Sequence, residues 1–170
     1  MKKNYLAATT LLLLLCLSGC AAPGRDRPNP KETTPLISPT DAKATALAMD
    51  RAILEAIPSR FVASHQTQEV GGFYPCTGGG WTWYNHVFLT FTPDYDVEEI
   101  LGSIEDHWRA DETVEVGRSR GITGSFRLVL AGIGESSYFV DIDESDATGD
   151  IAAFSPCLEL PEGADHRDKF

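Results

Sequence analysis

Hydrophobic positions along the chain follow two periods. Beyond residue 40, Ala46, Met49, Ile53 and Ile57 recur at helical spacing, and Leu47 and Leu54 widen the stripe. Thr40 or Asp41 is suited to cap that helix, and Pro58 ends it. From Trp81 to Phe91 the period drops to two. Trp81, Trp83, Val87, Leu89 and Phe91 share one face, and Thr82, Tyr84, His86, Phe88 and Thr90 share the other. Pro93-Asp94-Tyr95 then turns the chain into a second helix. Asp96 is its N-cap, Glu99 follows three residues on in a capping-box pattern, and Val97, Ile100, Leu101, Ile104 and Trp108 form one apolar stripe.

The remaining segments read as strands. Arg60 to Val70 is a weak one, and Gly71-Gly72 and Thr77 to Gly80 break the chain around Cys76. Thr113 to Arg118, Ser125 to Ala131, Ser137 to Asp143 and Asp150 to Ser155 are separated by turns rich in Gly, Ser and Asp, which suggests an antiparallel meander. The predicted fold is α+β: an antiparallel sheet of about five or six strands, two helices packed on one face, and one disulfide.

The first residues read as an address rather than as structure. Lys2 and Lys3 precede an apolar stretch from Leu6 to Leu17, too short to span a bilayer, which takes ~20 apolar residues. Leu17-Ser18-Gly19-Cys20 resembles the bacterial lipobox. The resemblance implies that residues 1–19 are a signal peptide and that the Cys20 thiol carries a diacylglycerol. The expected location is the extracytoplasmic face of a cell membrane, held by lipid. Residues 20–39 hold Pro23, Pro28, Pro30, Pro35 and Pro39 and few large apolar side chains, so they read as an extended linker of at most ~60 Å. A globular domain over 40–161 and a flexible tail over 162–170 complete the expected organisation.

Charge narrows the partners. Removing 19 of the 170 residues leaves 151, and loss of Lys2 and Lys3 from 14 basic residues leaves 12 against 25 acidic ones, a net −13. That balance argues against nucleic acid and against direct adsorption to anionic headgroups. Of four cysteines, Cys16 leaves with the signal and Cys20 takes lipid, so Cys76 and Cys157 remain together in an exported chain. Export favours a disulfide between them. Zinc is the competing reading, and two thiols with no nearby His pair are a poor ligand set.

Motifs with reaction chemistry do not hold up. Gly117-Arg118-Ser119-Arg120-Gly121 fits G-x-S-x-G, but a strand follows it, and His166 in the tail is the only later histidine. A glycine-bounded β-turn fits that segment better. Asp141 to Asp150 is acidic, but Asp146 and Ala152 stand where a calcium loop needs Gly and Glu, so a solvated turn is expected. His65, His86, His107 and His166 show no metal spacing. No cofactor, metal or catalytic residue is expected. Around Cys76 stand Phe73, Tyr74, Trp81, Trp83 and Tyr84. Trp81, Tyr74 and Phe73 are the candidate partner contacts, Trp83 the expected core member, and a purely structural role for the whole cluster stays open.

Tyr74-Pro75-Cys76, the aromatic strand after it and Ser155-Pro156-Cys157 resemble a class of small actinobacterial lipoproteins, the mycobacterial LppA-type proteins. The resemblance covers roughly residues 40–161. It implies an α+β envelope lipoprotein of unassigned role, with no catalytic residues to carry over. The expected function is non-enzymatic binding of an envelope protein or cell-wall component. A carrier of a small apolar or lipid ligand between sheet and helices is the alternative. An envelope hydrolase comes third, its mark being a cleft that joins His86 or His107 to a carboxylate.

Overall fold

The structure is a computed structural model, and it describes residues 37–122, 124–132 and 136–167. The expected signal peptide, Cys20 and nearly all of the expected linker lie outside the described residues, which fall within one unit that begins at Thr34.

Helix α1 runs Pro39–Ala56. It begins earlier than its hydrophobic stripe suggests, because Ser38 is the cap. The Ser38 hydroxyl accepts from the Asp41 N–H at 3.1 Å, and Pro39 occupies a first-turn position where no backbone donor is needed. The buried stripe is Ala42, Ala46, Asp50, Ile53 and Ile57. A polar residue thus sits in the middle of the core face. Ile57 turns extended ahead of Pro58, and a short 3-10 turn at Ser59–Phe61 leads into the sheet.

Among the described residues the sheet has seven strands: β1 Val62–Thr67, β2 Gly72–Pro75, β3 Trp81–Phe91, β4 Glu115–Arg120, β5 Phe126–Ala131, β6 Ser137–Asp143 and β7 Thr148–Phe154. One more strand is present than the sequence suggests, and it is β2, four residues between two glycine-rich breaks. The order is β1-β3-β7-β6-β5-β4, with β2 on the same edge of β3 as β1, and every pairing is antiparallel. Strands β4 to β7 form the expected meander. Strand β3 is long enough to hold β1 along one half and β2 along the other.

Helix α2, Val97–Trp108, enters between β3 and β4. The Asp96 carboxylate accepts from the Glu99 N–H at 2.9 Å. Val97, Ile100, Leu101, Ile104 and Trp108 are all buried, as their spacing predicts. Both helices share one core with the inward positions of the sheet: Trp83, Val87 and Leu89 on β3, Leu128 and Leu130 on β5, Val140 and Ile142 on β6, and Ile151 on β7. Polar ties fix the helices at their rims. The Ser103 hydroxyl donates to the Ala56 carbonyl at 2.8 Å. Arg118 on β4 reaches both Glu98 and Glu105 of α2. No helix of the described residues is long and apolar enough to cross a membrane.

Candidate functional site

Strand parity divides the aromatic cluster around Cys76. Because β2 pairs antiparallel with β3, Phe73 lies opposite Trp83 and Tyr74 opposite Thr82. Phe73 therefore points into the core beside the fully buried Trp83 and is only 8 % exposed. This corrects its assignment as a contact residue: on an alternating strand it cannot share a face with Tyr74. Tyr74 is exposed on the opposite face and packs against Tyr84, ring centroids 4.4 Å apart. Trp81 has the parity of Trp83, not of Tyr74, and is half-buried. The His166 imidazole lies parallel over its ring with centroids 4.6 Å apart, so this candidate contact is partly covered by the chain itself. The tail, expected loose from residue 162, is thus seated at His166. Cys76 and Cys157 form the expected disulfide, with Cα atoms 6.2 Å apart.

What parity assembles instead is the outer face of the sheet, where the described residues place no helix. Tyr84, His86 and Phe88 follow one another along β3. Tyr84 meets His86 edge-on, and His86 stacks on Phe88. Phe154 on β7 stacks on Tyr84, and Phe139 on β6 meets Phe154 edge-on. With Tyr74 at one end and the half-exposed Phe88 at the other, these rings form a continuous aromatic strip on the open face.

Beside the strip runs a row of paired charges. Phe88 is opposite Asp150, Asp150 opposite Asp141, and Asp141 opposite Arg127. The Arg127 guanidinium donates from Nε and Nη2 to the two oxygens of Asp141 at 2.8 and 2.7 Å. This two-pronged bond raises the guanidinium's affinity for its proton. His86 Nδ1 lies 2.9 Å from Asp150 Oδ2. Burial pushes the Asp150 carboxyl up, and the His86 hydrogen bond opposes that shift. Phe88, Ile122, Arg127, Asp141, Thr148 and Asp150 line a shallow concavity of about 540 Å³ at this end of the face.

The His86–Asp150 pair joins a histidine to a carboxylate, as the hydrolase alternative asks, although the adjoining concavity is lined by Asp150 and not by His86. A triad hydrolase needs a nucleophile as well. His86 has no hydroxyl or thiol partner among the described residues: Ser125 is bonded to Asp141, and the two cysteines to each other. Ser119, in the G-x-S-x-G segment, lies on edge strand β4. The turn expected there begins only at Gly121, since pairing with β5 extends through Arg120. His65, opposite Leu89 on β1, and His107, on α2, are exposed and are not part of this row.

The acidic segment closes the β6–β7 hairpin. Asp143 accepts from the Ser145 backbone and hydroxyl at 2.9 and 2.7 Å, bonds that hold its carboxyl below the usual range. Asp146 accepts from the Thr148 hydroxyl at 2.6 Å. These carboxylates cap a turn, as expected of a solvated loop. Among the described residues no three His, Cys, Asp or Glu side chains gather as a metal site would require.

One further polar pair lies inside the core. The Asn85 Nδ2 donates to Asp50 Oδ2 at 2.5 Å, and Asp50 Oδ1 and Asn85 Oδ1 have no hydrogen-bond partner among the described residues. Burial is the main cause that raises the Asp50 carboxyl to about 6, and the Asn85 hydrogen bond is the largest opposing one. Neither residue stands out as a motif. Each occupies a core phase of its element, which is the one sign of it in the sequence.

No family model matches this chain, and no curated protein matches it. Among solved structures, a DUF4853 family protein from Actinomyces odontolyticus has a TM-score of 0.47 and 12 % identity, covering 77 % of this chain and 70 % of its own. A likeness at that level lends no function to this chain.

Proposed function

We propose that this chain is a lipid-anchored envelope lipoprotein whose domain is a non-enzymatic binding module acting through the open face of its sheet. The observation that carries this reading is the aromatic strip from Tyr74 through Tyr84 and His86 to Phe88, bordered by Phe139 and Phe154 and by the paired charges of Asp150, Asp141 and Arg127. A surface with fixed rings beside preformed donors and acceptors binds without paying to order its own side chains. The lipobox-like Leu17-Ser18-Gly19-Cys20 supports anchoring at Cys20, and the partner is an envelope protein or cell-wall component. The resemblance to the LppA-type lipoproteins agrees with such a role.

The test is retention on isolated envelope fragments. Tyr74→Ala together with Phe88→Ala should lower retention and leave the thermal melt nearly unchanged, since both rings are about half exposed. Retention equal to that of the parent chain would remove the open face as the binding surface.

The carrier reading has one observation in its favour. A groove of about 450 Å³ runs between α1 and β1, with Leu47, Leu54 and Val87 among Lys43, Arg51 and His65. Native mass spectrometry of freshly purified protein separates the two readings, because a carrier retains a stoichiometric small molecule.

A further inference from the structure

Along β1 the inward side of the sheet stays open. His65 pairs with Leu89 and Thr67 with Val87, so both take the inward parity, yet both are exposed. They form one wall of the groove between α1 and β1. The other wall is Lys43, Leu47, Asp50, Arg51 and Leu54, whose spacing of three and four sets them on one helical face. Leu47 and Leu54 are half-buried and Val87 is the buried floor, so the groove has an apolar bed.

Two polar groups of α1 stand in that bed without the partners such groups ordinarily have. Asp50 is 1 % exposed, and its Oδ1 has no hydrogen-bond partner among the described residues. Every other arginine among the described residues is bonded to a carboxylate or a carbonyl, and Arg51 is not. The two are close enough that the Arg51 charge lowers the proton affinity of Asp50. Lys43 and Glu69 add one charge of each sign to the lining. A ligand that completes this set donates to Asp50, accepts from Arg51 and carries an apolar body. A fatty acid leaves Asp50 without a donor, and an alkylamine leaves Arg51 without an acceptor.

We propose that the groove binds an α-amino acid with an apolar side chain. Its ammonium donates to Asp50 Oδ1, its carboxylate accepts from Arg51, and its side chain packs on Leu47, Leu54 and Val87. Consecutive helical residues suit a ligand whose two charged groups share one carbon. The volume of about 450 Å³ falls in the range of small-molecule sites. This inference rests on the carrier reading of the groove and is independent of the open face.

The test is an NMR titration of the isotope-labelled full-length chain with L-leucine and, separately, L-phenylalanine, read at the amides of Leu47, Leu54 and Val87. At least one of the two should shift these amides saturably. Its N-acetyl and carboxamide derivatives each lack one charged group, and each should bind roughly tenfold more weakly or worse. Arg51→Ala, at an exposed position, should weaken the amino acid by a similar factor. Asp50→Asn, with its fold checked by a thermal melt, should do the same. No saturable shift with either amino acid, or equal binding of the N-acetyl derivative, would overturn the proposal. Octanoate saturating the same amides as tightly would also overturn it, while leaving the groove a carrier site.

Discussion

Asn85 donates to one oxygen of Asp50 across 2.5 Å in the core, while the other Asp50 oxygen and the Asn85 amide oxygen have no hydrogen-bond partner among the described residues. A single proton on Asp50 supplies the missing donor, which agrees with a carboxyl raised to about 6 by burial. The unfolded chain releases that proton near 3.8. Between the two values the native state binds more protons than the unfolded one, so stability from this group is complete below the lower value. It is lost as pH rises through the higher one, by about 3 kcal/mol in all. Asp50→Asn replaces the acid by an amide that can donate to Asn85 without titrating. Its stability relative to the parent should therefore rise between about pH 4 and about pH 7.5 by up to that amount, read from denaturant unfolding at both values. A difference independent of pH would show that Asp50 does not titrate in this window.

Core and face should separate cleanly on β3. Trp83 is fully buried, so Trp83→Ala should cost roughly 3–5 kcal/mol. Phe88 is half exposed five residues on, and Phe88→Ala should cost less than about 1 kcal/mol. Thermal melts of the two variants decide it, and equal losses would mean that the open face is part of the folding core.

The disulfide joins residues 81 positions apart, from the end of β2 to the segment after β7. Replacing both cysteines by serine should lower stability by about 4–5 kcal/mol on the loop-entropy model. Denaturant unfolding of the double variant measures this. A loss below about 1 kcal/mol would mean that the closed loop restrains the unfolded chain far less than that model holds.

Anchoring and folding are expected to use different residues. Cys20→Ala should yield a soluble protein with the parent's thermal melt. Finding that variant still in the membrane fraction after a high-salt wash would refute lipid attachment at Cys20.

The elements that were legible in the sequence are those whose signal is local. Helix α2 announces itself by Asp96 and Glu99 and by an unbroken stripe to Trp108, and β3 by eleven residues of alternation. Strand β2 was hidden because its four residues have no pattern of their own: Gly72 to Pro75 become a strand by pairing with β3. That omission carried into the site. Without β2 as a strand, Phe73, Tyr74 and Trp81 look like one cluster, and only the pairing shows that they alternate between two faces. The start of α1 was masked by Pro39, read as linker when it opens the helix. Asp50 and Asn85 break the apolar pattern without forming another. The pairs His86–Asp150 and Arg127–Asp141 join residues 64 and 14 positions apart, brought together by sheet order alone.

The span of the disulfide bears on what a protease can do to this domain. Most of the sheet lies within the covalent ring between Cys76 and Cys157, including the fully exposed Ile122 in the β4–β5 turn and the acidic turn between β6 and β7. A cut at either turn opens the backbone without separating the pieces. The half that bears Tyr84, His86 and Phe88 stays bonded through sulfur to the half that bears Phe154, and the antiparallel ladder between β3 and β7 holds them in register. Digestion would register as two bands on a reducing gel and one on a non-reducing gel, with the nicked domain still able to present its aromatic strip.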